Sequence, residues 1–113
     1  MKKQDISENQ VNYAFLALGS NLGEKINNLV KTKNLIIKYD IKIIKSSSYY
    51  ETQSWPNKKF PSYINSVIFI KTSKSLSNLF TTIKSIEKII GRTKSKKNHP
   101  RVCDIDIIDY NGK

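Results

Sequence analysis

The order of hydrophobic periodicities along the chain restricts its fold more than any other feature. Short runs of β-branched and aromatic residues predict strands, and they cover residues 12–18, 41–50, 62–72 and 101–110. Segments with an apolar residue at every third or fourth position predict helices, and they cover residues 24–38 and 75–90. The order β-α-β-β-α-β is typical of an α+β ferredoxin-like sandwich, in which both helices lie on one face of an antiparallel sheet.

Both predicted helices have candidate ends. Ser20 and Asn21, in the turn after the first strand, are candidate N-caps for the first helix, and Gly91 is a candidate C-cap for the second. The predicted apolar stripe of the first helix consists of Ile26, Leu29, Val30 and Ile37. That of the second consists of Leu76, Leu79, Phe80, Ile83, Ile86 and Ile90.

The length of 113 residues accommodates one domain. We expect residues 1–11 to be a polar leader and residues 12–113 to form that domain. No apolar run approaches the roughly 20 residues that a membrane span requires, and the first ten residues lack the apolar segment of a signal peptide. Because the single cysteine, Cys103, cannot form an internal disulfide, we expect a cytoplasmic protein, and we expect it to be monomeric.

The net charge of +11 points to anionic partners, which include nucleic acids, membrane surfaces and phosphorylated small molecules. The chain has 18 lysines, and its richness in Lys, Ile and Asn indicates a general compositional drift that raises basicity without a function. Arg92 and Arg101 are the only arginines. Since lysine cannot reproduce the planar, bidentate grip of arginine on phosphate, these two residues are candidates for phosphate binding.

Asp104 and Asp106 are two residues apart on a predicted strand, so their side chains share a face at a separation of about 7 Å. Their mutual repulsion would be relieved by a divalent cation, and Mg²⁺ typically combines one or two carboxylates with substrate phosphates. The alternative is an exposed strand face with two solvated acids. Asp109 is predicted to lie on the opposite face near the strand end, where it is solvated.

A basic loop precedes the aspartate strand. Arg92 and Arg101 enclose Lys94, Lys96 and Lys97 with no acid between them. Cationic side chains beside a metal-carboxylate pair are suited to phosphoryl transfer, in which the protein mainly positions and neutralises phosphate oxygens. A solvated basic loop is the alternative interpretation.

Other polar and aromatic residues have open interpretations. Tyr63 and Asn65 share a strand face and suit a flat, hydrogen-bonding heterocycle, or else they belong to the core face. Trp55, in a loop of about ten residues, is a candidate lid or a local packing plug. Glu87 lies beside a helical apolar stripe, where it either reaches water or requires a partner. His99 is a phosphate contact or an ordinary loop residue.

Five short motifs occur in the order in which one enzyme family carries them. They are 17–23 (ALGSNLG), 47–52 (SSYYET), 60–65 (FPSYIN), Glu87 with Gly91 and Arg92, and 100–107 (PRVCDIDI). Through them, residues 12–110 resemble the 6-hydroxymethyl-7,8-dihydropterin pyrophosphokinase family. The resemblance implies a ferredoxin-like core and transfer of pyrophosphate from ATP to the hydroxymethyl oxygen of the pterin. The products are AMP and the pterin diphosphate, in folate biosynthesis.

The resemblance also implies roles for individual residues. Asp104 and Asp106 correspond to ligands of two Mg²⁺ ions, and Arg92 and Arg101 to catalytic, phosphate-binding arginines. Glu87 corresponds to an acidic residue at the nucleotide-metal site. The substrate side would be formed by Thr52, Tyr63 and Asn65. We expect Trp55, the candidate lid of the long loop, to bind the substrate as well. The implied partners are these small molecules, without nucleic acid or membrane.

The family continues for some tens of residues past the aspartate strand, so we expect this chain to be a C-terminally truncated member or a fragment. Asn98 and His99 stand where many members have a Trp-Gly pair. Two alternatives remain open at this point. The first is a small ferredoxin-like nucleic-acid-binding module, which the charge favours although the aromatic strand motif of RNA-recognition domains is absent. The second is the same fold without the activity.

Overall fold

The computed structural model describes residues 10–91 and 100–113, which form two helices and one antiparallel sheet of five strands. In chain order the elements are β1 (Asn12–Ser20), α1 (Lys25–Lys38), β2 (Ile41–Ser46), β3 (Tyr50–Thr52), β4 (Tyr63–Thr72), α2 (Leu76–Ile90) and β5 (Asp104–Tyr110). Within these described ranges, no helix is long and apolar enough to cross a membrane.

The strand order across the sheet is β2-β4-β1-β5, and β3 pairs with β4 beyond the end of β2. This order confirms the predicted α+β, ferredoxin-like architecture. The single strand predicted over residues 41–50 is wrong, because it is interrupted after Ser46. There the hydroxyl of Ser47 accepts a hydrogen bond from the Val67 N–H at 2.9 Å, and a serine side chain that bonds the backbone in this way competes with regular strand pairing.

The hydrophobic core lies between the two helices and one face of the sheet. Its members are Ala14, Leu16, Leu18, Leu29, Ile36, Ile41, Ile68, Ile70, Leu79, Ile83, Ile86, Cys103 and Ile105. The ends of α2 agree with the sequence prediction. The Ser75 hydroxyl accepts a hydrogen bond from the Asn78 N–H, and Gly91 ends the helix with a φ of 119°, in the left-handed region that favours glycine.

Helix α1 departs from the prediction in both its buried face and its start. Its buried residues are Leu29, Thr32 and Ile36, whereas Ile26, Val30 and Ile37 are exposed. The polar Thr32 can face the core because its hydroxyl donates to the Asn28 carbonyl at 2.7 Å. The predicted caps Ser20 and Asn21 are also wrong, because α1 begins at Lys25 without a side-chain cap.

The other face of the sheet is open. Its central part is aromatic, with the rings of Tyr13 and Phe69 stacked at 5.7 Å between centroids and those of Phe15 and Phe69 at 4.7 Å. Tyr13 and Phe15 remain exposed. The end of the same face where β1 reaches Gly19 carries the polar side chains of the candidate site.

Candidate active site

Two aspartates of β5 project from the open face of the sheet. Asp104 lies opposite Gly19, and Asp106 lies opposite Ala17, in the antiparallel register with β1. Ile105, between them, is buried in the core. Because side chains alternate along a strand, the two carboxylates share the face that points away from the helices, as the sequence predicted.

Asp109 is not on the face that the sequence predicted. The pairing of β5 with β1 shifts so that Leu16 lies opposite Ile107 and Phe15 lies opposite Asp109. The extra residue, Ile108, resets the alternation in the manner of a β-bulge, so Asp109 lies on the same face as the other two aspartates. Its carboxylate accepts a hydrogen bond from the Gly112 N–H at 2.9 Å.

The electrostatics of this strand end suit a cation. Partial burial of its carboxyl raises the pKa of Asp106, and the negative charges of Asp104 and Glu87 raise this pKa further. Lys84 and Arg101 lower it, but the net shift remains upward. Among residues 10–91 and 100–113, no cluster of three or more His, Cys, Asp or Glu side chains could hold a metal ion. Two carboxylates are nevertheless sufficient for Mg²⁺ when phosphate and water supply its other ligands.

Arg101 lies beside this pair with unused hydrogen-bonding capacity. One terminal nitrogen of its guanidinium donates to Asp104 Oδ1 at 3.1 Å, and the side chain is 17% exposed. Its Nε is buried and has no hydrogen-bond partner within the part of the chain that the structure describes. Because a buried donor without a partner is costly, the guanidinium fits an additional anionic acceptor such as a phosphate oxygen.

Glu87 does not reach water, so that interpretation of the sequence is wrong. It is 2% exposed. Its Oε2 accepts a hydrogen bond from the Ile105 N–H at 2.7 Å, and its Oε1 lies 3.3 Å from the Lys84 ammonium. The carboxylate therefore joins α2 to β5 at the residue that separates the two aspartates. The partner Lys84 was missed, although its i,i+3 spacing from Glu87 is a recognisable helical signal.

Aromatic and amide side chains lie on β4, on the other side of β1 from β5. The Asn65 amide donates to Thr52 Oγ1 at 2.9 Å and to the Tyr50 carbonyl at 3.2 Å, which joins β4 to β3. A Cβ atom at Gly19 would lie 3.1 Å from both Asn65 Oδ1 and Tyr63 Cδ1. This is closer than most Cβ contacts, so the absence of a side chain at position 19 gives Tyr63 and Asn65 their room.

Gly19 brings the two groups of predicted residues together. It pairs with Asn65 of β4 on one side and with Asp104 of β5 on the other. Two strand spacings of about 4.8 Å place the β4 and β5 backbones roughly 10 Å apart on this face. On the β4 side, an aromatic ring and an amide suit a flat heterocycle. On the β5 side, two carboxylates and an arginine suit a polyphosphate, so the two ligands could bind side by side.

The remaining predicted residues do not all join this cluster. Trp55 is 77% exposed, so its interpretation as a packing plug is wrong. Arg92 and His99, and the lysines of the basic loop, lie outside the described residues. Sequence reasoning missed Ser54, which is buried in the loop over residues 53–62, and it assigned the buried Asn21 only as a helix cap.

Comparison with known proteins places this geometry in context. The sequence model of 7,8-dihydro-6-hydroxymethylpterin-pyrophosphokinase (HPPK) matches residues 15–112. The chain is 35% identical over 96 residues to the 2-amino-4-hydroxy-6-hydroxymethyldihydropteridine pyrophosphokinase of Aquifex aeolicus, an alignment that covers 85% of this chain and 59% of that protein. It is 33% identical over 111 residues to the folic acid synthesis protein fol1 of Schizosaccharomyces pombe, covering 97% of this chain and 15% of that one.

A solved structure supports the fold. The HPPK-DHPS of Plasmodium falciparum, determined with pterin and p-hydroxybenzoate, superposes with a TM-score of 0.69 at 19% identity. The superposition covers 92% of this chain and 29% of that one. The chain thus spans less than two thirds of the length of each of these relatives.

Proposed function

Because the chain belongs to the 7,8-dihydro-6-hydroxymethylpterin-pyrophosphokinase family, we propose that it transfers pyrophosphate from ATP to 6-hydroxymethyl-7,8-dihydropterin. The products are AMP and the pterin diphosphate, an intermediate of folate biosynthesis. We place the enzyme in the cytoplasm as a monomer. The observation that carries the proposal is the position of Gly19, which pairs with Asn65 on one side and Asp104 on the other.

The pterin occupies the β4 side of this face in our proposal. Tyr63 stacks on the ring, and Asn65 provides its amide for hydrogen bonds to the edge of the heterocycle. Thr52 is held beside Asn65 by the 2.9 Å hydrogen bond between them, so its backbone lies at the same edge. Trp55, which is exposed in the free chain, is available to cover a bound substrate.

The triphosphate occupies the β5 side. Asp104 and Asp106 would hold two Mg²⁺ ions, and the upward shift in the pKa of Asp106 supports a cation there. When bound, Mg²⁺ neutralises charge on the phosphate oxygens. Arg101 offers to a phosphate its Nε, which has no hydrogen-bond partner among the described residues. Arg92 is assigned the same role by its motif. Glu87 contributes negative charge next to the aspartates.

The transfer forms one bond and breaks one. The hydroxymethyl oxygen of the pterin attacks the β-phosphorus of ATP in line, the bond from that phosphorus to the oxygen bridging to the α-phosphate breaks, and AMP leaves with that oxygen. The hydroxyl proton passes to water. The protein contributes alignment of the two substrates and neutralisation of phosphate charge, which is where most of the catalysis in such transfers arises.

Calorimetric titration and turnover of the purified chain test this proposal. We expect Mg²⁺-dependent binding of ATP, loss of most of kcat in Asp106→Ala, and a sharp fall in Arg101→Lys, because lysine lacks the bidentate fork. Wild-type turnover in Asp106→Ala would refute the assigned metal role. A salt-dependent shift of RNA or DNA without ATP binding would instead support the nucleic-acid-binding alternative.

A further inference from the structure

We propose that Asn21 is a positioning residue that couples the loop over residues 53–62, on the pterin side, to the backbone of Arg101, on the phosphate side. This inference rests on the proposed function, which assigns one side to the pterin and the other to the triphosphate. Asn21 follows β1 directly and is 2% exposed. It is separated by 80 positions from Arg101 and by 33 from Ser54, yet it bonds to both.

The contact between Asn21 and Arg101 is reciprocal. The Arg101 N–H donates to Asn21 Oδ1 at 2.7 Å, and the Asn21 N–H donates to the Arg101 carbonyl at 3.0 Å. Two opposed hydrogen bonds fix both the position and the orientation of the Arg101 peptide groups. The guanidinium that bonds Asp104 therefore extends from a backbone held by Asn21.

The other end of the same amide holds the loop. Asn21 Nδ2 donates to Ser54 Oγ at 3.0 Å and to the Pro61 carbonyl at 3.1 Å. The Ser54 hydroxyl also donates to the Pro61 carbonyl at 2.6 Å, so the two ends of the loop are joined to each other. Since Ser54 is also buried, the bond between Asn21 and Ser54 is shielded from water.

Both polar ends of one buried amide are thus used, one on each side of the site. An asparagine can do this because it carries an acceptor and a two-proton donor on one planar group. A displacement of the loop on substrate binding is consequently transmitted to Arg101 through one side chain. The reverse also holds, because coupling between two sites is reciprocal.

Two matched serine variants test this coupling. Ser54→Ala removes one of the two loop acceptors of the Asn21 amide and leaves the Pro61 carbonyl. Ser62→Ala makes the same substitution at a hydroxyl that bonds Glu51 instead. The first measurement is amide hydrogen exchange at the Arg101 N–H, followed by NMR. We expect exchange about fivefold faster in Ser54→Ala and close to the wild-type rate in Ser62→Ala, as for loss of one hydrogen bond. Asn21→Ala should accelerate it further if the variant folds.

The second measurement is the affinity for Mg²⁺ with a non-hydrolysable ATP analogue. Ser54→Ala should weaken it about fivefold, although Ser54 lies on the pterin side. Unchanged exchange at Arg101 in folded Ser54→Ala would overturn the inference, as would equal effects of the two serine variants. If the wild-type chain binds no nucleotide, the proposed function fails, and the exchange measurement still decides the coupling.

Discussion

Replacing Glu87 by alanine removes a buried carboxylate that joins α2 to β5 between the two aspartates. The Ile105 N–H would lose its acceptor at 2.7 Å, and a hydrogen bond to a charged group contributes roughly 1.5–3 kcal/mol. The ion pair with the partly exposed Lys84 adds at most about 1 kcal/mol. Relief of the buried charge offsets part of this loss, so we expect a decrease of about 2 kcal/mol in the free energy of unfolding.

Glu87→Gln separates the acceptor from the charge. Its amide oxygen can still accept the Ile105 N–H, so we expect a loss of only about 1 kcal/mol or less. For a domain of this size, about 2 kcal/mol corresponds to a Tm decrease of roughly 8 °C. Thermal and urea unfolding in Mg²⁺-free buffer, followed by circular dichroism, measure both variants.

Glu24→Ala provides the control. Glu24 is exposed, and its side chain makes no capping hydrogen bond to α1, so its removal should change the free energy of unfolding by no more than about 0.5 kcal/mol. Equal losses in Glu87→Ala and Glu87→Gln would contradict this prediction, because they would show that the negative charge, rather than the acceptor for Ile105, carries the stabilisation.

Three further predictions concern the site and the fold. Gly19→Ala should weaken pterin binding more than nucleotide binding in calorimetric titrations, because its Cβ would crowd Tyr63 and Asn65 at 3.1 Å. Asp106→Asn should raise Tm without Mg²⁺ and abolish stabilisation by Mg²⁺ with ATP. The raised pKa of Asp106 means that its carboxyl proton is held more tightly in the folded state than in the unfolded state. The contribution of Asp106 to stability therefore decreases as pH rises through the carboxyl range. Asp106→Asn should remove that decrease in Mg²⁺-free melts. Ser75→Ala should cost about 1 kcal/mol in urea unfolding, since its hydroxyl caps α2.

The fold could be predicted where local pattern and packing agree. Helix α2 has a strong apolar stripe, a serine at its start and a glycine at its end, and all three signals point to the same element. Leu76 and Phe80, which the sequence also placed in that stripe, are exposed. The buried face of α1 is rotated by about one residue position around the helix axis from the predicted face. It is rotated because Thr32 faces the core, where its hydroxyl bonds a carbonyl of the same helix. A prediction from hydrophobicity alone places a threonine such as Thr32 on the exposed face.

The site could be predicted in part, where the local pattern of a strand determines which side chains share a face. The two-residue period placed Asp104 with Asp106, and Tyr63 with Asn65, on shared faces. Their convergence across Gly19 depends on strand order and register, which no local pattern contains. The role of Asn21 was not predictable either, because its hydrogen bonds join residues 33 and 80 positions away, whereas its neighbours in sequence suggested a helix cap.

We propose that the two halves of this sheet face act together as one pyrophosphate-transfer site. The most direct measurement is ³¹P NMR of the purified chain with ATP, Mg²⁺ and 6-hydroxymethyl-7,8-dihydropterin. We expect AMP and pterin diphosphate to form in equal amounts, with no AMP when either the pterin or Mg²⁺ is omitted. Folded protein that forms no AMP under these conditions, or that forms AMP without the pterin, would contradict the proposed pyrophosphate transfer.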